Sequence, residues 1–307
     1  MCDLRLLRHG RDTMTFESVQ QLLPDLRLLR TEIVALSGGE PLMNPEWASI
    51  GEALRANGQK VWLLTSGLSL AKHARRVCEL FDDITVSLDG TDGNSDAFDR
   101  VCEGIRAAGA LGNPPGIRVT VQSINFRQTT AFGDLAEDLG ARQVSFLAVD
   151  VASPHAFGRA DSFAADSSLQ PGDLPESDRH PALMEERYAA DFRSGFMAES
   201  PQKLHPIRRY FAAVFKQGPY PPVRCNAREF SAVVGPTGLL QPCFFISRPS
   251  DGRRPGEIDS KNALAEMLNT GSMVALRTAI REGQRGECKT GVCSMWRDSE
   301  RFAPEPA

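Results

Sequence analysis

Short apolar runs rich in β-branched residues alternate with helical patterns through the first half of the chain, and this alternation restricts the fold more than any other feature. The runs are Glu32–Ser37, Lys60–Thr65, Ile84–Leu88, Ile117–Ser123 and Val144–Val149. Between them lie helix-like segments near 15–29, 45–57, 69–80, 95–111 and 129–140, three of which end at Gly58, Gly112 and Gly140 as helix termini often do. Strands that read as continuous apolar runs are buried on both faces. The βαβα pattern therefore predicts a parallel sheet or barrel with ligands at the carboxyl ends of its strands.

Each strand ends in small or polar residues: Gly38-Gly39-Glu40, Thr65-Ser66-Gly67, Ser87-Leu88-Asp89-Gly90, Gln122-Ser123 with Asn125, and Asp150. A single such ending is an ordinary turn or cap. Five on one edge of a parallel sheet predict a ligand site. In Gly38-Gly39-Glu40-Pro41 two glycines allow close approach to the backbone, a carboxylate can hold a cation such as an ammonium group, and proline fixes the exit from the turn.

From Ser153 to about Pro222 the chain becomes polar and proline-broken, which predicts a loop-rich connector with helices near 181–197 and 203–215. Two apolar runs follow, Phe230–Val234 and Leu239–Phe245, joined at Gly235-Pro236-Thr237-Gly238, the chemistry of a hairpin turn. That hairpin would return Cys243 toward Cys225. A helical stretch near 261–282 precedes Cys288 and Cys293.

The net charge of -4 and the lack of any lysine- and arginine-rich run give no footprint for nucleic acid. No apolar stretch is long enough to cross a bilayer, and Arg5, Arg8, Arg11 and Asp12 stand where a signal peptide would be apolar. A cytoplasmic protein with no membrane partner is expected. In a reducing compartment clustered cysteines read as metal ligands or reactive thiols, whereas Cys78 and Cys102, each lone in a helical pattern, read as small buried side chains.

Together these residues resemble the radical S-adenosylmethionine (SAM) enzymes, in particular the branch with a C-terminal SPASM or twitch extension carrying an auxiliary iron-sulfur cluster. The resemblance implies an α/β fold. It would be a partial (β/α)6 TIM-like barrel lacking its first strand over 1–155, a helical connector over 156–222, and a small α+β hairpin-containing cluster domain over 223–307. Gly38-Gly39-Glu40-Pro41 matches the family turn that binds the SAM amino group, and Ser66, Ser87 and Asp89 fall where the family lines the cofactor's carboxylate and ribose.

Cys225, twelve residues, Gly238, four residues and Cys243 satisfy the extension pattern C-x(9-15)-G-x4-C, and Cys288 and Cys293 complete four thiolates for one [4Fe-4S] cluster. A structural zinc site is the plainer use of the same cysteines. Of the family's C-x3-C-x2-C loop for the radical cluster only Cys2 aligns. Either the natural protein extends upstream of an internal methionine, or the chain is a degenerate binding protein that has lost its radical cluster and keeps one C-terminal metal site. The edge that a missing first strand would leave unpaired favours the former. The resemblance then implies reductive SAM cleavage, a 5′-deoxyadenosyl radical abstracting hydrogen from a peptide or small molecule, and a flavodoxin- or ferredoxin-type electron donor.

Overall fold

In the computed structural model the described residues are 13–91, 96–152, 166–223, 225–236, 238–246 and 263–292. Five parallel strands follow one another in sequence order: β1 (Ile33–Leu36), β2 (Lys60–Thr65), β3 (Asp83–Ser87), β4 (Gly116–Val121) and β5 (Gln143–Ala148). The connecting helices are α2 (Trp47–Ala56), α3 (Leu70–Leu80), α4 (Asp96–Ala110) and α5 (Thr129–Asp138), and α1 (Phe16–Leu28) precedes β1. Sequential order with every neighbour parallel is the expected α/β architecture of a partial TIM-like barrel.

The two faces of this sheet differ. Register pairs Leu63 with Ile84, Val86 with Ile117, and Val119 with Phe146, so these side chains share one face beneath the helices. From β2 to β5 that face is sealed: Val61, Leu63, Val86, Val119 and Val144 are wholly inaccessible to solvent. The opposite face carries Ala35, Trp62, Leu64, Thr85, Ser87, Arg118 and Thr120, all partly or fully exposed. A parallel sheet normally covers both faces, whereas here the second face stays partly accessible except at Ser145 on β5.

Glycines permit two close approaches beside the strand ends. Gly67 has φ +81°, and a Cβ there would lie 2.9 Å from Val86 Cγ1 and 3.1 Å from Val101 Cγ1. At Gly104 it would lie 2.9 Å from Leu70 Cβ and 3.1 Å from the Gly67 carbonyl oxygen, so α4 can lie directly against the start of α3.

Beyond β5 the structure departs from expectation in several details. The helix expected near 181–197 is three short helices, Leu174–Ser177, Arg179–Arg187 and Ala189–Ser194, the last closed by Gly195 at φ +83°. The next residues then lie along the outer edge of β5: Val144 donates its amide to the Phe196 carbonyl at 2.8 Å and accepts the Ala198 amide at 2.9 Å. Glu199 Oε2 accepts the Phe146 amide at 2.8 Å. An edge that could recruit another chain is thus covered. The helix Pro201–Val214 packs behind it.

In the tail the expected hairpin shrinks to Val233–Val234 paired antiparallel with Leu240–Gln241. Phe230 and Ser231 instead close a turn onto the Ala227 carbonyl, and Pro242 has no N–H to continue the ladder. The single helix expected near 261–282 is two, Ala263–Leu268 and Gly271–Arg281. Thr270 divides them by accepting the Met273 amide on its hydroxyl.

Candidate functional site

The strand ends converge on one edge of the sheet, and Glu40 is the hub there. Its Oε1 accepts the Leu42 amide at 3.1 Å and the Thr65 hydroxyl at 2.7 Å. Its Oε2 accepts the Ser66 amide at 2.7 Å and the Ser66 hydroxyl at 2.5 Å. A carboxylate offers about four lone-pair sites, so these four bonds use its accepting capacity. The turn after β1 is therefore tied to the end of β2, and Thr65 Oγ1 in turn accepts the Gly67 amide at 3.0 Å.

With Glu40 occupied, the free binding capacity of the turn lies in its backbone. Gly38 has φ +133°, a conformation open to glycine, and a Cβ on Gly38 or Gly39 would meet nothing within 4 Å. The two peptides border open space that a ligand can reach. Pro41 starts a short helical turn, Pro41–Met43, which Glu40 caps.

β3 and β4 are fastened by the two polar residues at their ends. Asp89 Oδ1 accepts the Thr120 amide at 2.9 Å. Asn125, 1% exposed, donates to the Asp89 carbonyl at 3.1 Å and the Thr120 carbonyl at 3.0 Å, and accepts the Gln122 amide at 2.9 Å. Although Asp89 as a residue stays open to solvent, its carboxyl is set back among the strand ends. That desolvation raises its pKa, against the opposing hydrogen bond from Thr120. Ser87 lies exposed on the open face, beside Arg118 in register. Asp150, 2% exposed, accepts the Tyr210 hydroxyl at 3.1 Å, and Tyr210 accepts the Val151 and Ala152 amides. It serves the path of the chain leaving β5.

The structure therefore brings Gly38, Gly39, Glu40, Pro41, Ser66, Ser87 and Asp89 to one end of the sheet. Sequence reasoning missed Trp62 and Arg118, which stand on the partly exposed face, Arg118 level with Ser87 and Trp62 level with Asp83, farther from the strand ends. The signal was present: each interrupts an apolar strand at a position alternate to its fully buried neighbours, Val61 and Leu63 for the indole, Ile117 and Val119 for the guanidinium.

Of the cysteines expected to hold metal, Cys2 and Cys293 lie outside the described residues. Cys225, Cys243 and Cys288 come together in the tail, all partly exposed. Burial pushes the Cys243 thiol up, opposed by the Phe245 amide that donates to its sulfur at 3.4 Å, and Cys225 adds to the rise. The Cys288 thiol is raised by burial first, then by Cys243 and Cys225. Mutual repulsion among desolvated thiolates is what a bound cation would relieve. Among the described residues, no three histidine, cysteine or carboxylate side chains form a group that could hold a single metal ion. Cys78 and Cys102 sit in α3 and α4, half-buried and buried, as small packed side chains. No helix among the described residues is long and apolar enough to cross a membrane.

Known proteins share both sequence and shape with this chain. Residues 1–139 match the model of the Radical SAM superfamily. A pre-heme d1 synthase of Dinoroseobacter shibae is 28% identical over 41% of the chain and 34% of its own length. A PqqA peptide cyclase of Streptomyces rochei is 32% identical over 46% and 41%. The chain thus spans roughly a third to two fifths of the length of these curated relatives. Among solved structures, anSMEcpe with bound AdoMet and a Cp18Cys peptide superposes with a TM-score of 0.61 at 17% identity, covering 95% of this chain and 85% of that one. Sequence match, strand order and the locked Gly-Gly-Glu-Pro turn agree, and it is residues 1–139 that are similar to the radical SAM superfamily.

Proposed function

We propose that this protein is an enzyme that cleaves SAM reductively and uses the product to abstract hydrogen from a peptide. The observation that carries the reading is the Gly38-Gly39 backbone, open on one side and held from the other by the four hydrogen bonds of Glu40. SAM held against a [4Fe-4S] cluster supplies a sulfonium that one electron can break; the protein supplies orientation and exclusion of water.

The strand-end residues suit SAM. Carbonyls of the Gly38-Gly39 turn would accept from the SAM amino group, with Glu40 fixing their aim and Pro41 their exit. Ser87 would donate to its carboxylate or ribose; the Ser66 hydroxyl, whose proton goes to Glu40, would accept from ribose, as would Asp89 while keeping β4 in place. Cys2 would be one ligand of the radical cluster, being the one cysteine of the family's C-x3-C-x2-C loop in this sequence. In the tail Cys225, Cys243, Cys288 and Cys293 would hold one auxiliary cluster of the SPASM or twitch kind, and the boundaries 1–155, 156–222 and 223–307 follow from that division. A flavodoxin or ferredoxin would deliver the electron.

A peptide substrate is supported by the PqqA peptide cyclase and by the peptide bound in the anSMEcpe structure. The open face of the sheet, with Trp62 and Arg118, provides a wall for it.

The test is anaerobic reconstitution of the polypeptide together with any in-frame upstream residues its gene encodes. Two clusters' worth of iron and sulfide, and a change in the electron paramagnetic resonance signal of the reduced protein on adding SAM, are expected. Zinc in place of iron, or a spectrum indifferent to SAM, would reject the proposal.

A further inference from the structure

Asp25 is charge-bearing, yet only 1% of it reaches solvent. It lies on the inward face of α1, and its carboxylate points at the tail. Oδ2 accepts the Leu264 amide and Oδ1 the Ala265 amide, each at 3.1 Å, across about 240 positions of sequence. These amides belong to the first turn of the helix Ala263–Leu268, where N–H groups have no partner within the helix. A capping residue normally comes from the chain just before the helix. Here it comes from the other end of the molecule.

The surroundings of that contact explain what it holds. Leu22 of α1 joins Leu240, Ile246, Leu264, Met267 and Met273 in an apolar cluster separate from the core of the sheet. Cys243 and Cys288 pack against this same cluster, as does Leu26 of α1. The helix that Asp25 caps is therefore one wall of the compartment on which two of the tail cysteines rest. The other end of α1 is tied beside the Gly-Gly-Glu-Pro turn: Glu46 Oε2 accepts the Phe16 amide at 3.1 Å, and Asn44 donates to the Met14 carbonyl at 2.8 Å. One helix thus braces both the strand-end site and the cysteine set.

We infer that Asp25 is a positioning residue for the C-terminal cysteines, fixing Cys243 and Cys288 through the tail helix and the apolar cluster it anchors. The role belongs to the polypeptide itself and does not require that the auxiliary group be iron-sulfur. Hydrogen bonds to a charged acceptor are worth enough that losing two shifts a local opening equilibrium by about tenfold or more.

The experiment is timed alkylation of the reduced, metal-free full chain with iodoacetamide, read cysteine by cysteine by mass spectrometry. In Asp25→Ala, Cys243 and Cys288 should be labelled about tenfold faster than in the wild type. Cys78 and Cys102, which sit in α3 and α4, should keep their rates. Asp25→Asn retains one acceptor oxygen and should fall between; it also serves as the reading if the alanine variant does not fold. Unchanged rates at Cys243 and Cys288, or equal acceleration at all four cysteines in Asp25→Asn, would overturn the inference. A second arm rests on the proposed auxiliary cluster: iron should fall from two clusters to one in Asp25→Ala. If the wild type itself holds only one cluster, the cluster reading fails while the alkylation rates still decide the role of Asp25.

Discussion

Removing the side chain of Glu40 separates a hub that shapes the Gly-Gly-Glu-Pro turn from a direct ligand of the proposed SAM. In Glu40→Ala four hydrogen bonds disappear: the amides of Leu42 and Ser66, and the hydroxyls of Thr65 and Ser66, lose their acceptor. Bonds to a charged acceptor reach about 1.5–3 kcal/mol, but this site is only part-buried and water replaces much of each, so about 1 kcal/mol apiece is a fair figure. The total is about 3–4 kcal/mol of lost stability. At about 2–3 °C per kcal/mol for a chain of this size, the melting temperature of the metal-free protein should fall by about 6–12 °C.

Glu40→Gln is the discriminating variant. It keeps one oxygen for Leu42 and Thr65 but presents an NH2 to the Ser66 amide, and should cost about 1–2 kcal/mol. Calorimetry gives the stability, and equilibrium SAM binding to the reconstituted protein gives the affinity. As a hub, Glu40 loses both together in a graded way, alanine more than glutamine. A glutamine variant with wild-type melting temperature and SAM affinity reduced a hundredfold would refute the reasoning and make the carboxylate a direct ligand.

Gly67→Ala places a Cβ at φ +81° and 2.9 Å from the stiff Val86 side chain, combining about 1–2 kcal/mol of backbone strain with about 1–3 kcal/mol of overpacking; denaturant titration should show a loss of about 2–4 kcal/mol, and a change under 1 kcal/mol would disprove the close packing. Glu199 is desolvated, which raises its pKa despite the Phe146 amide it accepts. Because the folded value lies above the ordinary one, the stability linked to its proton is full below about pH 4.5 and is lost as pH rises through the folded pKa. Glu199→Gln, which keeps an acceptor for Phe146, should gain on the wild type across that interval in denaturation at stepped pH, and a constant difference would contradict the burial. Glu199→Ala leaves the Phe146 amide on the edge of β5 without its acceptor and should cost about 1–3 kcal/mol at low pH, less as pH rises through the folded pKa.

How much of this could be read from residues alone depends on the range of the forces involved. The five strands were legible because each is a run of apolar residues bounded by turn formers, and from β2 to β5 the sheet buries the apolar residues of one face. The strand-end residues were legible because glycines and short polar side chains are conspicuous after such runs. What Glu40 does with its carboxylate was not, since its partners Thr65 and Ser66 arrive only when β1 and β2 pair. Asp25 was invisible for the same reason, as the amides it accepts are about 240 positions away. The second face needed the sheet register before Arg118 could be set beside Ser87 and Trp62 beside Asp83. In the tail, apolar runs suggested longer strands than form, because Pro242 and the turn at Ala227 remove the ladder's donors.

The central claim, that this chain uses SAM as a reactant, is decided by anaerobic incubation of the reconstituted protein with SAM and a strong reductant, followed by chromatography for 5′-deoxyadenosine. Formation of that nucleoside, dependent on the reductant and diminished in Glu40→Ala, is the result expected. An iron-loaded protein that returns all of its SAM intact would contradict it.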